Sequence, residues 1–157
     1  MKKTNLIMLV AAGLSLGVVT PFAINNRSIT PTVQAAKKYS RKTVNKDLKK
    51  NLKEDQQNGK QGNSDYQYTT YIQRLKADKS GNVSVYVTGD VADMSTADKN
   101  DFAEKTQDLV SMVLYNNNWL TDKTMKEGTY LTFYVGDNPI GHSRVTGYKS
   151  YKWYKTN

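Results

Sequence analysis

The segment from Ser95 to Asn118 constrains the fold most, because it is a long amphipathic stretch set between two groups of strand-like runs. Phe102, Thr106, Leu109, Val110, Val113 and Leu114 recur every three or four residues, while Asp98, Asp101, Lys105 and Asp108 take the other side. That is the spacing of a helix with one face in a core. Ser95 is placed to cap its first turn, with Asp98 three residues on, and acidic residues early in the segment suit the positive end of the helix dipole. Asn116-Asn117-Asn118 ends it.

The flanks read as β-structure. Tyr66 to Leu75 is rich in aromatic and β-branched residues, and Val83, Val85 and Val87 alternate with Ser84, Tyr86 and Thr88. Between them Asp78-Lys79-Ser80-Gly81-Asn82 has turn chemistry, so the two runs are expected to form an antiparallel hairpin that stops at Gly89 and Asp90. After the helix, Thr129 to Val135 and Ile140 to Thr146 flank a turn-forming Gly136-Asp137-Asn138-Pro139. Tyr148 to Tyr154 fits a further strand, with Tyr151 and Trp153 on one face and Lys152 and Tyr154 on the other. The order β-β-α-β-β with a fifth strand predicts an α+β domain over residues 65–157, one helix lying across an antiparallel sheet.

Residues 1–35 read as a secretory signal: Lys2 and Lys3, an apolar run from Leu6 to Val19, Pro21, and small residues at Val33 and Ala35. The run contains Gly13, Ser15 and Gly17 and falls short of the roughly 20 apolar residues a spanning helix needs. Cysteine is absent, so an exported domain of this kind depends on its core rather than on cross-links.

Charge then separates the rest of the chain into two parts. The net charge of the whole sequence is +9; Lys2, Lys3 and Arg27 belong to the signal segment, from Gln61 onward acidic and basic residues balance, and the remaining excess of +6 lies between Lys37 and Lys60. This basic arm, residues 36–64, has helical spacing in Val44, Leu48 and Leu52, a narrow apolar stripe, and ends in the polar, glycine-bearing run Gln56 to Ser64, which reads as a linker. Lys37, Lys38, Arg41, Lys42, Lys46, Lys49, Lys50 and Lys53 are the expected attachment residues for an anionic surface, where each cation contributes on the order of 1 kcal/mol.

Catalytic constellations are poorly supported. His142 is the only histidine, and its neighbour Ser143 would point to the opposite face of a strand, so the two cannot act as base and nucleophile. One histidine without cysteine argues against zinc, and no metal or cofactor is expected. Asp90, Asp93, Asp98 and Asp101 lack the pattern of a calcium loop and are explained by a helix start. The sharper candidate is an acid-free stretch that interleaves aromatics with cations, Arg144, Tyr148, Lys149, Tyr151, Lys152, Trp153 and Lys155, as a polymer-binding surface would. Its alternative is an edge strand whose aromatics pack inward and whose lysines discourage aggregation.

The signal ending in Thr32-Val33-Gln34-Ala35-Ala36, the lysines after it and a cysteine-free, tyrosine- and asparagine-rich domain resemble small exported proteins of Gram-positive lactic acid bacteria. The resemblance implies an extracellular or wall-associated setting and transfers no site residue. The expectation is a secreted, non-enzymatic binding module held at the envelope by its basic arm, with an anionic envelope polymer, a membrane surface or carbohydrate as partner and no nucleic acid. Alternatives are a wall-polymer hydrolase using two carboxylates and a cationic antagonistic protein.

Overall fold

The computed structural model describes residues 37–155, so the expected signal over residues 1–35 lies outside it. The described residues open with helix α1 (Arg41–Lys60) and a 3₁₀ helix (Ser64–Tyr71). Strands β1 (Ile72–Ala77) and β2 (Val83–Val87) follow, then the short α2 (Asp90–Asp93), the long α3 (Thr96–Asn116) and α4 (Asp122–Glu127). Strands β3 (Leu131–Val135), β4 (Asn138–Arg144) and β5 (Gly147–Trp153) complete an α+β fold whose five-stranded sheet runs β1-β2-β3-β4-β5.

The predicted hairpin of β1 and β2 forms, with Leu75 opposite Val85 and Ala77 opposite Val83. α3 is capped as expected: the Ser95 hydroxyl accepts the Asp98 N–H at 3.2 Å and donates to the Asp98 carboxylate at 2.7 Å. Asn118, at φ 57, turns the chain out of the helix. One pairing differs from the antiparallel expectation. β2 and β3 run parallel, Val85 opposite Phe133, because the three helices between them carry the chain back to the starting end of the sheet.

The basic arm is also different from its expectation as an appendage with a linker. Val44 and Leu48 have no exposed surface and Leu52 has 5%, and all three join the cluster containing Ile72, Leu75, Val110, Leu114 and Phe133. The narrow stripe suffices because α1 covers only one border of the sheet while α3 covers the rest, so the core is built by two helices rather than one. Gln56 to Lys60 continue the helix instead of forming a linker. Gln56 is held by the carbonyls of Thr69 and Ile72 at 3.1 and 2.6 Å. Gly59 lies against the backbone carbonyl of Tyr66, where a side-chain carbon would stand 2.7 Å from the oxygen. This contact docks the 3₁₀ helix and replaces the first half of the predicted strand Tyr66 to Leu75. Within it the Thr69 and Thr70 hydroxyls donate to the carbonyls three residues back, at 2.7 Å each, a local alternative to strand pairing.

The start of α1 is tied to the end of α3. Tyr39 N–H donates to the Asn117 carbonyl (3.1 Å), the Trp119 indole N–H donates to the Tyr39 carbonyl (2.7 Å), and Asn117 donates to the Asp47 carboxylate (3.1 Å). A second buried amide, Gln107 on α3, spans to the chain entering β3. Its nitrogen donates to the Thr129 carbonyl at 2.9 Å and its oxygen accepts from the Ser111 hydroxyl at 3.0 Å and from the Thr129 N–H. The expected four-residue turn contracts to Gly136-Asp137, with Gly136 at φ 58, and Asn138 and Pro139 belong to β4.

Candidate functional site

Strand parity decides which side chains meet the helices. Leu75, Val85, Phe133, Gly141 and Trp153 stand side by side on the covered face. The alternate residues therefore point away from both helices, on a sheet face that no described element covers. One row across this open face is Arg74, Tyr86, Tyr134 and Pro139, and the next is Lys76, Ser84, Thr132, His142 and Lys152. None of these positions carries a carboxylate.

The side chains of the first row are ordered by mutual stacking. The Arg74 guanidinium lies 3.9 Å from the Tyr86 ring centre, and Tyr86 stacks on Tyr134 at 5.3 Å with 22° between the rings. A cation held over an aromatic face is stabilised by the ring quadrupole by about 0.5–1 kcal/mol at an exposed site. A second group forms around His142, with Tyr130 stacked at 5.8 Å, Tyr154 at 5.7 Å and Tyr148 edge-on to Tyr130 at 6.1 Å. Nδ1 of His142 lies 2.9 Å from the Tyr130 hydroxyl and 2.8 Å from the Ser143 carbonyl. It accepts from the first when unprotonated and donates to the second when it carries the proton. The Tyr130 phenol is pushed up from its ordinary value by its partial burial and then by Tyr154 and Tyr134 nearby, so it stays a neutral hydrogen-bonding group at physiological pH.

The predicted binding stretch is divided between the two faces. Tyr148 and Lys152 lie on the open side. Tyr151 and Trp153 point inward, their rings 6.1 and 5.0 Å from that of Phe133, and the Trp153 indole donates to Asn100 on α3 at 2.9 Å. Lys149 reaches Asp108 on α3 at 3.7 Å. Arg144 is exposed beside the β4–β5 turn, where its Nε donates to the Tyr151 carbonyl at 3.3 Å, and Lys155 is exposed just beyond β5. Arg74, Lys76, Tyr86, Tyr130, Tyr134 and His142 were not singled out together by the sequence. Reading the residue between the buried Val85 and Val87 of β2 and the one between Phe133 and Val135 of β3 would have found the two central tyrosines.

The attachment cations are all exposed. Lys42, Lys46, Lys49, Lys50 and Lys53 fall within about 100° of arc on α1, away from its buried stripe, with Asp47 and Glu54 on the adjoining flank. Lys50 pairs with Glu54 at 3.8 Å. Arg41 opens the helix, Lys37 precedes it, and Lys38 holds its ammonium 4.4 Å from the Trp119 ring centre.

Ser143 is buried and accepts the Leu131 N–H at 3.1 Å, on the opposite face from His142 as strand alternation requires. Three of the four acidic residues around the start of α3 have local partners: Asp90 accepts from the Thr88 hydroxyl (3.1 Å), Asp98 from Ser95, and Asp101 pairs with Lys105 (2.9 Å). Among the described residues no group of three or more metal-ligating side chains converges, and no helix is long and apolar enough to cross a membrane. Comparison of the chain with known protein families, with curated proteins and with solved structures yields no match.

Proposed function

We propose that this protein is an exported, non-enzymatic binding module that holds an anionic, hydroxyl-rich envelope polymer on the open face of its sheet. The observation that carries this reading is the acid-free Arg74–Tyr86–Tyr134 stack beside the His142 cluster. It offers cations, phenol hydroxyls and aromatic surface in a row that matches the repeating character of a polymer. A flat surface suits a chain ligand better than a small molecule, which favours an enclosed pocket. The lysine band of α1 adds a second, less specific attraction, which salt weakens because charges farther apart than the Debye length, about 8 Å at physiological ionic strength, are largely screened.

Co-sedimentation with purified Gram-positive wall sacculi, with and without their anionic polymers, tests the reading. Replacing Tyr86 and Tyr134 by alanine is expected to weaken binding at least tenfold at constant fold. Neutralising Lys42, Lys46, Lys49, Lys50 and Lys53 to glutamine should reduce binding mainly at low salt. Deleting the arm is not a usable test, because α1 supplies core residues. If the double tyrosine variant sediments like the parent on both preparations, the open face is not the binding surface.

A further inference from the structure

We infer that the free edge of β1 is a docking groove for an extended acidic peptide, which adds to the sheet as a sixth strand beside α1. The groove shares Arg74 and Lys76 with the rim of the polymer face, but the proposal rests on the backbone edge at Leu75 and not on polymer binding.

Hydrogen-bond alternation defines the edge. Asp78 N–H bonds the Asn82 carbonyl at 2.9 Å and the register is constant from Arg74 to Ala77, so Arg74 and Lys76 bond to β2 while Leu75 and Ala77 turn their backbone groups outward. The Val83 N–H agrees, since it bonds Tyr130 on the β3 side at 2.9 Å. At Ala77 both outward groups are taken by one side chain: Asn45 accepts its N–H at 2.8 Å and donates to its carbonyl at 3.1 Å. The Ile72 carbonyl is taken by Gln56 at 2.6 Å. Between these two amide clamps the N–H and C=O of Leu75 face a groove of about 690 Å³ between β1 and α1, within the range of ligand sites. Asn45 and Gln56 thus close the ends of the edge and leave a short strand-pairing window.

Charge and parity define the occupant. The groove is lined by Arg41, Lys49, Arg74 and Lys76 and by no carboxylate, with Leu52 and Leu75 as its apolar part. A residue paired with Leu75 places its side chain on the α1 side, over Leu52. Its two neighbours point to the other face, beside Arg74 and Lys76. The complementary sequence is therefore acidic–apolar–acidic. A second copy of this chain would bring the same four cations together, which disfavours edge-to-edge pairing of two protomers.

The probe is an eight-residue peptide of alternating glutamate and valine, titrated by fluorescence polarisation and by amide chemical shifts. The expected result is saturable binding with the Leu75 amide among the largest shifts, and loss of about tenfold in affinity when the central valine nitrogens are methylated. A lysine–valine peptide should bind only after R74E and K76E reverse the charge next to its two flanking residues, with Arg41 and Lys49 unchanged. Tyr134→Ala alone, which leaves the Arg74–Tyr86 contact in place, should weaken polymer binding and keep peptide binding, which separates the two activities. Equal binding of methylated and unmethylated peptides would mean plain charge attraction and overturn the proposal. So would no binding at millimolar peptide, or protection of Leu75 by self-association of the free protein.

Discussion

Leu48→Ala tests whether α1 is part of the core or a detachable basic arm. Leu48 has no exposed surface and sits between Val44 and Leu52 on the stripe that meets the sheet. Truncation removes three carbon groups, about 2.4 kcal/mol at 0.8 kcal/mol each, and leaves a cavity that brings measured losses of this type to about 3–5 kcal/mol. For a domain of roughly 120 residues, an unfolding entropy near 2.1 cal/mol/K per residue converts about 3.5 kcal/mol into a fall in Tm of about 14 °C. Thermal unfolding followed by far-UV circular dichroism reads it, with Lys50→Ala as a surface control expected to change stability by less than about 0.5 kcal/mol. A fall of under 3 °C would mean that α1 is held loosely and that its packing contributes little, contrary to the packing argument.

Gly141 lies on the covered face between Phe133 and Trp153, and a side-chain carbon there would run into the Trp153 ring and meet the Lys152 carbonyl at 3.0 Å. Gly141→Ala is expected to cost about 1–3 kcal/mol by overpacking and to shift tryptophan emission; unchanged emission and Tm would show that the ring moves freely. Tyr151 buries a hydroxyl that no protein group bonds, so Tyr151→Phe should leave stability equal or raise it by about 1 kcal/mol, and should leave polymer binding intact; a loss of stability would reveal a partner for the hydroxyl. Burial, and then the negative charge of nearby Glu104 and Asp108, pushes the Tyr151 phenol well above its ordinary value, as burial and Asp55 do for Tyr68. The unfolded chain releases these protons near pH 10 while the folded chain keeps them, so stability falls as pH rises past 10, and Tyr151→Phe should reduce the slope by up to about 1.4 kcal/mol per pH unit. An unchanged slope in urea titrations at high pH would contradict the burial of this phenol.

The legible parts of the fold were those carried by local periodicity. α3 with its Ser95 cap, the β1–β2 hairpin and the opposite-facing pairs of β5 follow from spacing, because side-chain direction along one element is set by backbone geometry. The part of the site on β5 was legible only to that extent. Tyr148, Lys152, Tyr151 and Trp153 alternate in sequence, but which pair meets α3 depends on where the helix lies. Arg74, Tyr86, Tyr134 and His142 come from four strands whose adjacency no local pattern records.

What the sequence determined by itself is the long helix α3, the strand-forming runs and the alternation along β2 and β5, since these depend on neighbours within a few residues; the 3₁₀ helix, α2, α4 and the full length of α1 were not among them. Tertiary structure decided that three apolar residues of a lysine-rich helix join the core, that β2 and β3 pair in parallel, and that Tyr151 and Trp153 face inward while Arg74, Tyr86 and Tyr134 line up outside. The reason is that burial belongs to surfaces brought together across the chain: the same narrow stripe is solvated on an isolated helix and fully buried where a sheet border remains for it to cover.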